Sequence, residues 1–153
     1  MVVAPPLLAR QLAERTGRAI WMTAGGMYLQ ALDLDDWSWA RRPWDGTRAY
    51  AQAKRAQIDL VVEATDRGEA PLQVAMHPGW ADTPGVSDSL PGFARLMGPL
   101  LRSPDQGADT AVWLAGQPAA ALRGGAFYLD RRPRGTVRWH GTATSREDRR
   151  RLR

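Results

Sequence analysis

Apolar positions fall in this chain into short unbroken runs, separated by stretches with a helical period. Arg18 to Ala24 (Arg-Ala-Ile-Trp-Met-Thr-Ala) is nearly all apolar and stops at Gly25-Gly26. Successive strand residues face opposite sides of a sheet, so such a run predicts a strand buried on both faces, as in parallel sheets. Leu72 to His77, closed by Pro78-Gly79, and Gly124 to Leu129 predict two more strands. Between them, Thr47 to Arg67 carries Tyr50, Lys54, Ile58 and Val61/Val62 at a 3.6-residue period, the strongest helical pattern in the chain. Further helices are predicted over residues 4–16 (Leu7, Leu8, Leu12), 91–101 and 103–116, the last opening on Ser103-Pro104-Asp105. Thr144-Ser-Arg-Glu147 resembles a capping box that opens a final basic helix. Strands alternating with helices imply right-handed crossovers and a parallel sheet. The expected fold is therefore α/β, with about three strands and flanking helices, and so thin a sheet suggests part of a larger one.

Residues 25–46 break the pattern. They hold Asp33, Asp35, Asp36, Trp37, Trp39 and Trp44 without periodicity. The acids suggest a solvated loop, and three tryptophans suggest a surface that packs or binds.

Composition narrows the picture. At 153 residues, with 44% hydrophobic and 24% charged residues, this is one domain's worth of globular chain. No cysteine is present, which fits a reducing cytoplasmic setting. No apolar run approaches the ~20 residues that span a bilayer, and Met1-Val-Val-Ala-Pro-Pro lacks a signal-peptide pattern. The two histidines, His77 and His140, are too far apart for a local metal motif. His77, like Met22, Met76 and Met97, is expected to pack. The net charge of +5 is concentrated in residues 131–153, where nine Arg and two acids leave residues 1–130 at −2. The expected organisation is a body over 1–130 and an Arg-rich tail over 131–153. Such a tail, with Trp139, can bind nucleic acid. A solvated tail in an arginine-biased chain explains it more simply, so no nucleic-acid partner is expected.

The candidate chemistry lies at Tyr50-Ala-Gln-Ala-Lys54. Residues four apart share a helix face. A phenol, with a reference pKa near 10, does acid–base work at neutral pH when a neighbouring cation stabilises its anion. Lys54 is the only lysine among 21 Lys+Arg. An ammonium, unlike a guanidinium, relays a proton and reaches small hydroxyl groups.

These residues, with Pro78-Gly79-x-x-x-Thr83 at a strand end, the Trp21–Tyr28 run and Asp45-Gly46-Thr47-x-x-Tyr50, resemble the C-terminal half of the short-chain dehydrogenase/reductase family. The resemblance spans about residues 7–150. It implies a partial Rossmann-like, doubly wound sheet lacking the N-terminal dinucleotide-binding half; no Gly-x-x-x-Gly-x-Gly turn occurs in the chain. It implies that Tyr50 is the general acid/base. Lys54 then binds the nicotinamide ribose and lowers the tyrosine's pKa. Pro78 and Gly79 border the nicotinamide, and Thr83 binds its carboxamide. The cofactor is NAD or NADP and no metal is involved. The substrate is a small carbonyl compound or alcohol with an apolar body. The family serine falls at Ala24, leaving Thr23 as the nearest hydroxyl. Further expectations are a truncated chain that is inactive alone, an exposed edge at Arg18–Ala24, and pairing as a homo-oligomer or with a partner chain. A non-catalytic dimerisation remnant is the alternative.

Overall fold

The computed structural model describes residues 17–69, 71–81, 101–138 and 140–152. The helices expected over 4–16 and 91–101, together with Thr83, Met97 and Trp139, lie outside the described residues. Three parallel strands form the sheet: β1 (Arg18–Met22), β2 (Leu72–Met76) and β3 (Phe127–Leu129). A fourth, β4 (Arg132–Arg134), runs antiparallel to β3, giving the order β1-β2-β3-β4. Among the described residues β1 is therefore an edge, as expected, and Met22 is exposed rather than packed in the core.

Helices cover both faces. On one lies α1 (Gly46–Asp66), burying Ile58 and Val61 against Ala75, Phe127 and Met27, with Trp21 beside them. On the other lies α2 (Pro104–Gly116), whose Leu114 packs with Val74, Met76, Leu122 and Tyr128. The alternation of Trp21/Ala75 with Val74/Met76 is why these strands are apolar at successive positions. The start of α1 is fixed by Asp45, whose carboxylate accepts from the Arg48 N–H at 3.0 Å. In α2, Ser103 and Gln106 form a reciprocal capping box, with Pro104 at the first helical position.

Two expectations require correction. The loop over residues 30–45 is not a solvated acidic segment. Asp33 accepts from the Asp35 and Asp36 N–H groups, and the buried Asp36 accepts from Ala40 and Arg41. The Arg42 guanidinium pairs with Asp33, lies 4.0 Å over the Trp39 ring and reaches Gln52 of α1 at 3.2 Å. The acids thus organise a cation that ties the loop to the helix. The second correction concerns the last helix, α3 (Arg146–Arg151), which is capped by Ser145, whose hydroxyl accepts from the Asp148 N–H at 3.0 Å, rather than by a Thr144–Glu147 box. The Thr144 hydroxyl donates instead to Asp59 of α1 at 2.7 Å. Arg149 and Arg151 reach Asp66 and Asp35, so the basic segment lies against the body.

The sheet also continues past Asp130. Asp130 and Arg131, at φ 55° and 58°, form the two-residue connection between β3 and β4. Positive φ at both positions matches the twist of a tight hairpin.

Candidate active site

The carboxyl ends of β1 and β2 lie side by side, with Met22 in register with Met76 and the Thr23 N–H donating to the Met76 carbonyl at 2.8 Å. Over this end passes the first half of α1. Tyr50 and Lys54 stand on one face of that helix, with the Lys54 ammonium 5.5 Å from the centroid of the Tyr50 ring. Lys54 Nζ also donates to the Met22 carbonyl at 3.1 Å, tying the amine to the strand end. Tyr50 remains 54% exposed.

The electrostatics differ from the simple expectation. Partial burial pushes the Tyr50 phenol above its ordinary value, not below it. The same cause pushes the Lys54 amine down, because burial disfavours the charged form of each. In this arrangement the phenol is held protonated and the amine is brought nearer to proton exchange.

Thr23 is 2% exposed, and its hydroxyl donates to the Lys54 backbone carbonyl at 2.9 Å. It fixes the helix turn that carries the lysine. With that bond made, it is not turned toward an incoming ligand, and Ala24 offers no hydroxyl.

Pro78 and Gly79 follow β2. Gly79 has φ +81°, and an added Cβ would lie 2.7 Å from Arg102 Nε. Arg102 sits there because its guanidinium pairs bidentately with Asp130, at 2.5 and 3.1 Å, and reaches the Pro78 carbonyl at 3.5 Å. Its backbone pairs too, the Arg102 N–H donating to the Trp80 carbonyl at 2.8 Å beside the Ala81–Arg102 bridge. One side of the Pro78–Gly79 turn is therefore filled by arginine. Thr83 lies outside the described residues. His77, 8% exposed, is pushed down to about 4 by burial, with the Arg102 charge adding to it.

Two residues that sequence reasoning passed over matter here. Arg102 carried no signal, because its partner Asp130 is 28 residues away. Arg55, next to Lys54 but on the inner face, is 1% exposed; it donates to the carbonyls of Thr136 at 2.9 Å and Gln30 at 3.4 Å. Its place in the helical period, three residues before Ile58, was the available clue. Among the described residues no group of three His, Cys, Asp or Glu is placed to hold a metal, and no helix is long and apolar enough to cross a membrane.

No family model matches the chain. The chain is 45% identical over 134 residues to the Homo sapiens protein Dehydrogenase/reductase SDR family member 12, covering 86% of this chain and 42% of that one. The Bos taurus protein of that name is 46% identical over 122 residues, covering 78% and 38%. A provisionally named daunorubicin C-13 ketoreductase of Streptomyces sp. strain C5 is 38% identical over 128 residues, covering 82% and 45%. Among solved structures, an uncharacterized protein from Mycobacterium paratuberculosis superposes with a TM-score of 0.56 at 26% identity, over 79% of this chain and 42% of that one. The chain thus spans about two fifths of the length of the curated relatives it matches.

Proposed function

We propose, from the premise that the chain belongs to the short-chain dehydrogenase/reductase family, that it carries the proton-transfer half of an NAD(P)-dependent alcohol/carbonyl oxidoreductase. The observation that carries this reading is the Lys54 ammonium poised 5.5 Å from the Tyr50 ring while anchored to the Met22 carbonyl. Tyr50 is the acid and Lys54 the cation beside it. Burial keeps the Tyr50 phenol protonated at neutral pH, the form that donates to a carbonyl oxygen, but makes it a weaker acid than a free phenol, so the Lys54 charge must offset that cost as the proton leaves.

The residues present fit the nicotinamide-ribose end of the cofactor. An ammonium has three N–H donors, and Lys54 uses one on Met22, leaving others for ribose hydroxyls. When bound, NAD or NADP would supply the hydride. Lys54 would orient the ribose and, by its charge, stabilise the phenolate left when Tyr50 gives up its proton. Thr23 would keep Lys54 in place through its backbone. Pro78 and Gly79 would border the nicotinamide on the side that Arg102 leaves open.

The test is oxidation of NADH or NADPH by a panel of ketones, followed at 340 nm. Tyr50→Phe should lower the rate by about 10²–10⁴-fold, the usual contribution of a positioned acid. Tyr50 is half-exposed, so circular dichroism should stay unchanged. An equal rate in the variant would refute the assignment, and no turnover by the parent would refute it for the chain alone. A second reading, pairing with another chain, is favoured by the edge position of β1. A concentration-dependent dimer in sedimentation would support it.

A further inference from the structure

Three tryptophans stand in the segment before α1, and the chemistry at Tyr50 and Lys54 uses none of them. Two of them form a built surface. Trp39 has φ 58°, a left-handed conformation that a bulky residue adopts only where its surroundings impose it. Here they do. The Trp39 N–H donates to the Asp36 carbonyl at 3.1 Å, and the Arg42 guanidinium lies 4.0 Å over its ring. Arg42 is in turn tied to Gln52 of α1. Held in this way, Trp39 meets the Trp44 ring in an edge-type pair, with centroids 5.4 Å apart. Trp44 is nonetheless 72% exposed, so most of a seated indole is left to solvent.

The helix explains what lies beside it. Gly46, Tyr50 and Lys54 are four residues apart and form one row along α1. The Trp44 Nε1 lies 3.6 Å from where a Cβ on Gly46 would stand, so the indole closes that row at its N-terminal end. Helical side chains lean toward the N-terminus, as the Lys54 amine does toward the Tyr50 ring. By the same rule Tyr50 leans toward Gly46, which is exposed and has no side chain to fill the space before the indole. One helical turn, about 5.4 Å, separates the two positions. Trp44 and Tyr50 thus flank an open recess over Gly46, with a phenol on one side and an aromatic surface on the other.

We propose that Trp44 is a stacking platform that selects carbonyl substrates with a flat aromatic body, the oxygen reaching Tyr50 while the ring lies against the indole. This rests on the alcohol/carbonyl reading above and narrows its substrate class. An aromatic ring gains more at such a surface than a saturated ring of similar size, because offset and edge contacts between π systems add to simple burial.

The probes are acetophenone and cyclohexyl methyl ketone, which differ only in the aromaticity of the ring. Binding to the full chain is followed in ¹H–¹⁵N spectra, with the Trp44 indole resonance identified by its loss in Trp44→Phe. Acetophenone should shift that resonance together with the Tyr50 amide. It should bind about three- to tenfold more tightly than the saturated ketone, the range of one aromatic pair. Trp44→Ala should abolish the preference and Trp44→Phe should keep most of it. Gly46→Leu, which fills the recess and leaves the indole in place, should also abolish it. Tyr50→Phe should weaken both ketones by a similar factor. Equal affinity of the parent for the two ketones, or a preference that survives Trp44→Ala, would overturn the platform alone. Ketones that leave the Tyr50 amide unmoved, or bind Tyr50→Phe as well as the parent, would overturn the alcohol/carbonyl reading and this inference with it. If Trp44→Ala does not fold by circular dichroism, the two affinities of the parent and of Gly46→Leu decide the matter.

Discussion

Gly79→Ala tests the turn at the centre of the candidate site. Two separate costs arise. At φ +81° an L-residue lies in the left-handed region, which disfavours a Cβ by about 1–2 kcal/mol. The new methyl would also lie 2.7–2.8 Å from Arg102 Nε, Cδ and Cζ, so that side chain must move. An arginine free in solvent would yield at little cost. Arg102 is held by its bidentate pair with Asp130, and both partners are partly exposed, so the pair is worth about 0.5–1 kcal/mol after screening. The expected destabilisation is therefore about 2–3 kcal/mol, read as a fall in the urea midpoint at unchanged slope. A cycle separates the terms: in an Arg102→Ala background, Gly79→Ala should cost only the backbone share of about 1–2 kcal/mol. A Gly79→Ala variant within about 0.5 kcal/mol of the parent, the range of an ordinary surface change, would refute the conformational argument. A cost unchanged by removing Arg102 would refute the clash.

Lys54 should acylate with a pH midpoint below the ordinary lysine value, because burial lowers its pKa. It is the only lysine, so mass spectrometry follows it without ambiguity. The folded state holds fewer protons than the unfolded one between the lowered value and 10.5. Lys54 should therefore add stability as pH rises through that window and nothing below it; a Lys54→Met variant showing the same pH slope as the parent there would contradict this. Arg55→Met keeps the aliphatic stem but strips the donors from the Gln30 and Thr136 carbonyls, at about 1–3 kcal/mol for each carbonyl left bare. Denaturant unfolding and faster amide exchange around Thr136 are the readouts, and an unchanged midpoint would count against a tying role.

The framework was legible where chemistry is local. The apolar runs at Arg18 and Leu72 became adjacent parallel strands, and the 47–67 period became α1 with an Asp45 cap. Alternation along the strand also separated Thr23 from Ala24, and Thr23 does point at the helix. What escaped notice depends on partners distant in sequence. β4 is Arg-Pro-Arg, a charged edge strand whose proline is tolerated there. Its turn is Asp130-Arg131, without the glycine that usually marks a tight hairpin. Arg131 is held by Asp109 and Asp130 by Arg102, neither of them near in the chain. The direction of the Tyr50 shift was missed for a related reason: spacing gives the neighbouring cation, but burial is a property of the folded surroundings.

Where the basic end of the chain rests changes what its charge can do. Arg131, Arg149 and Arg151 each face an aspartate of the body, so a polyanion approaching them must first displace a carboxylate already in place. The ion atmosphere around this region should be thinner than nine arginines suggest, and retention on a cation exchanger should fall short of what an isoelectric point near 10.6 implies.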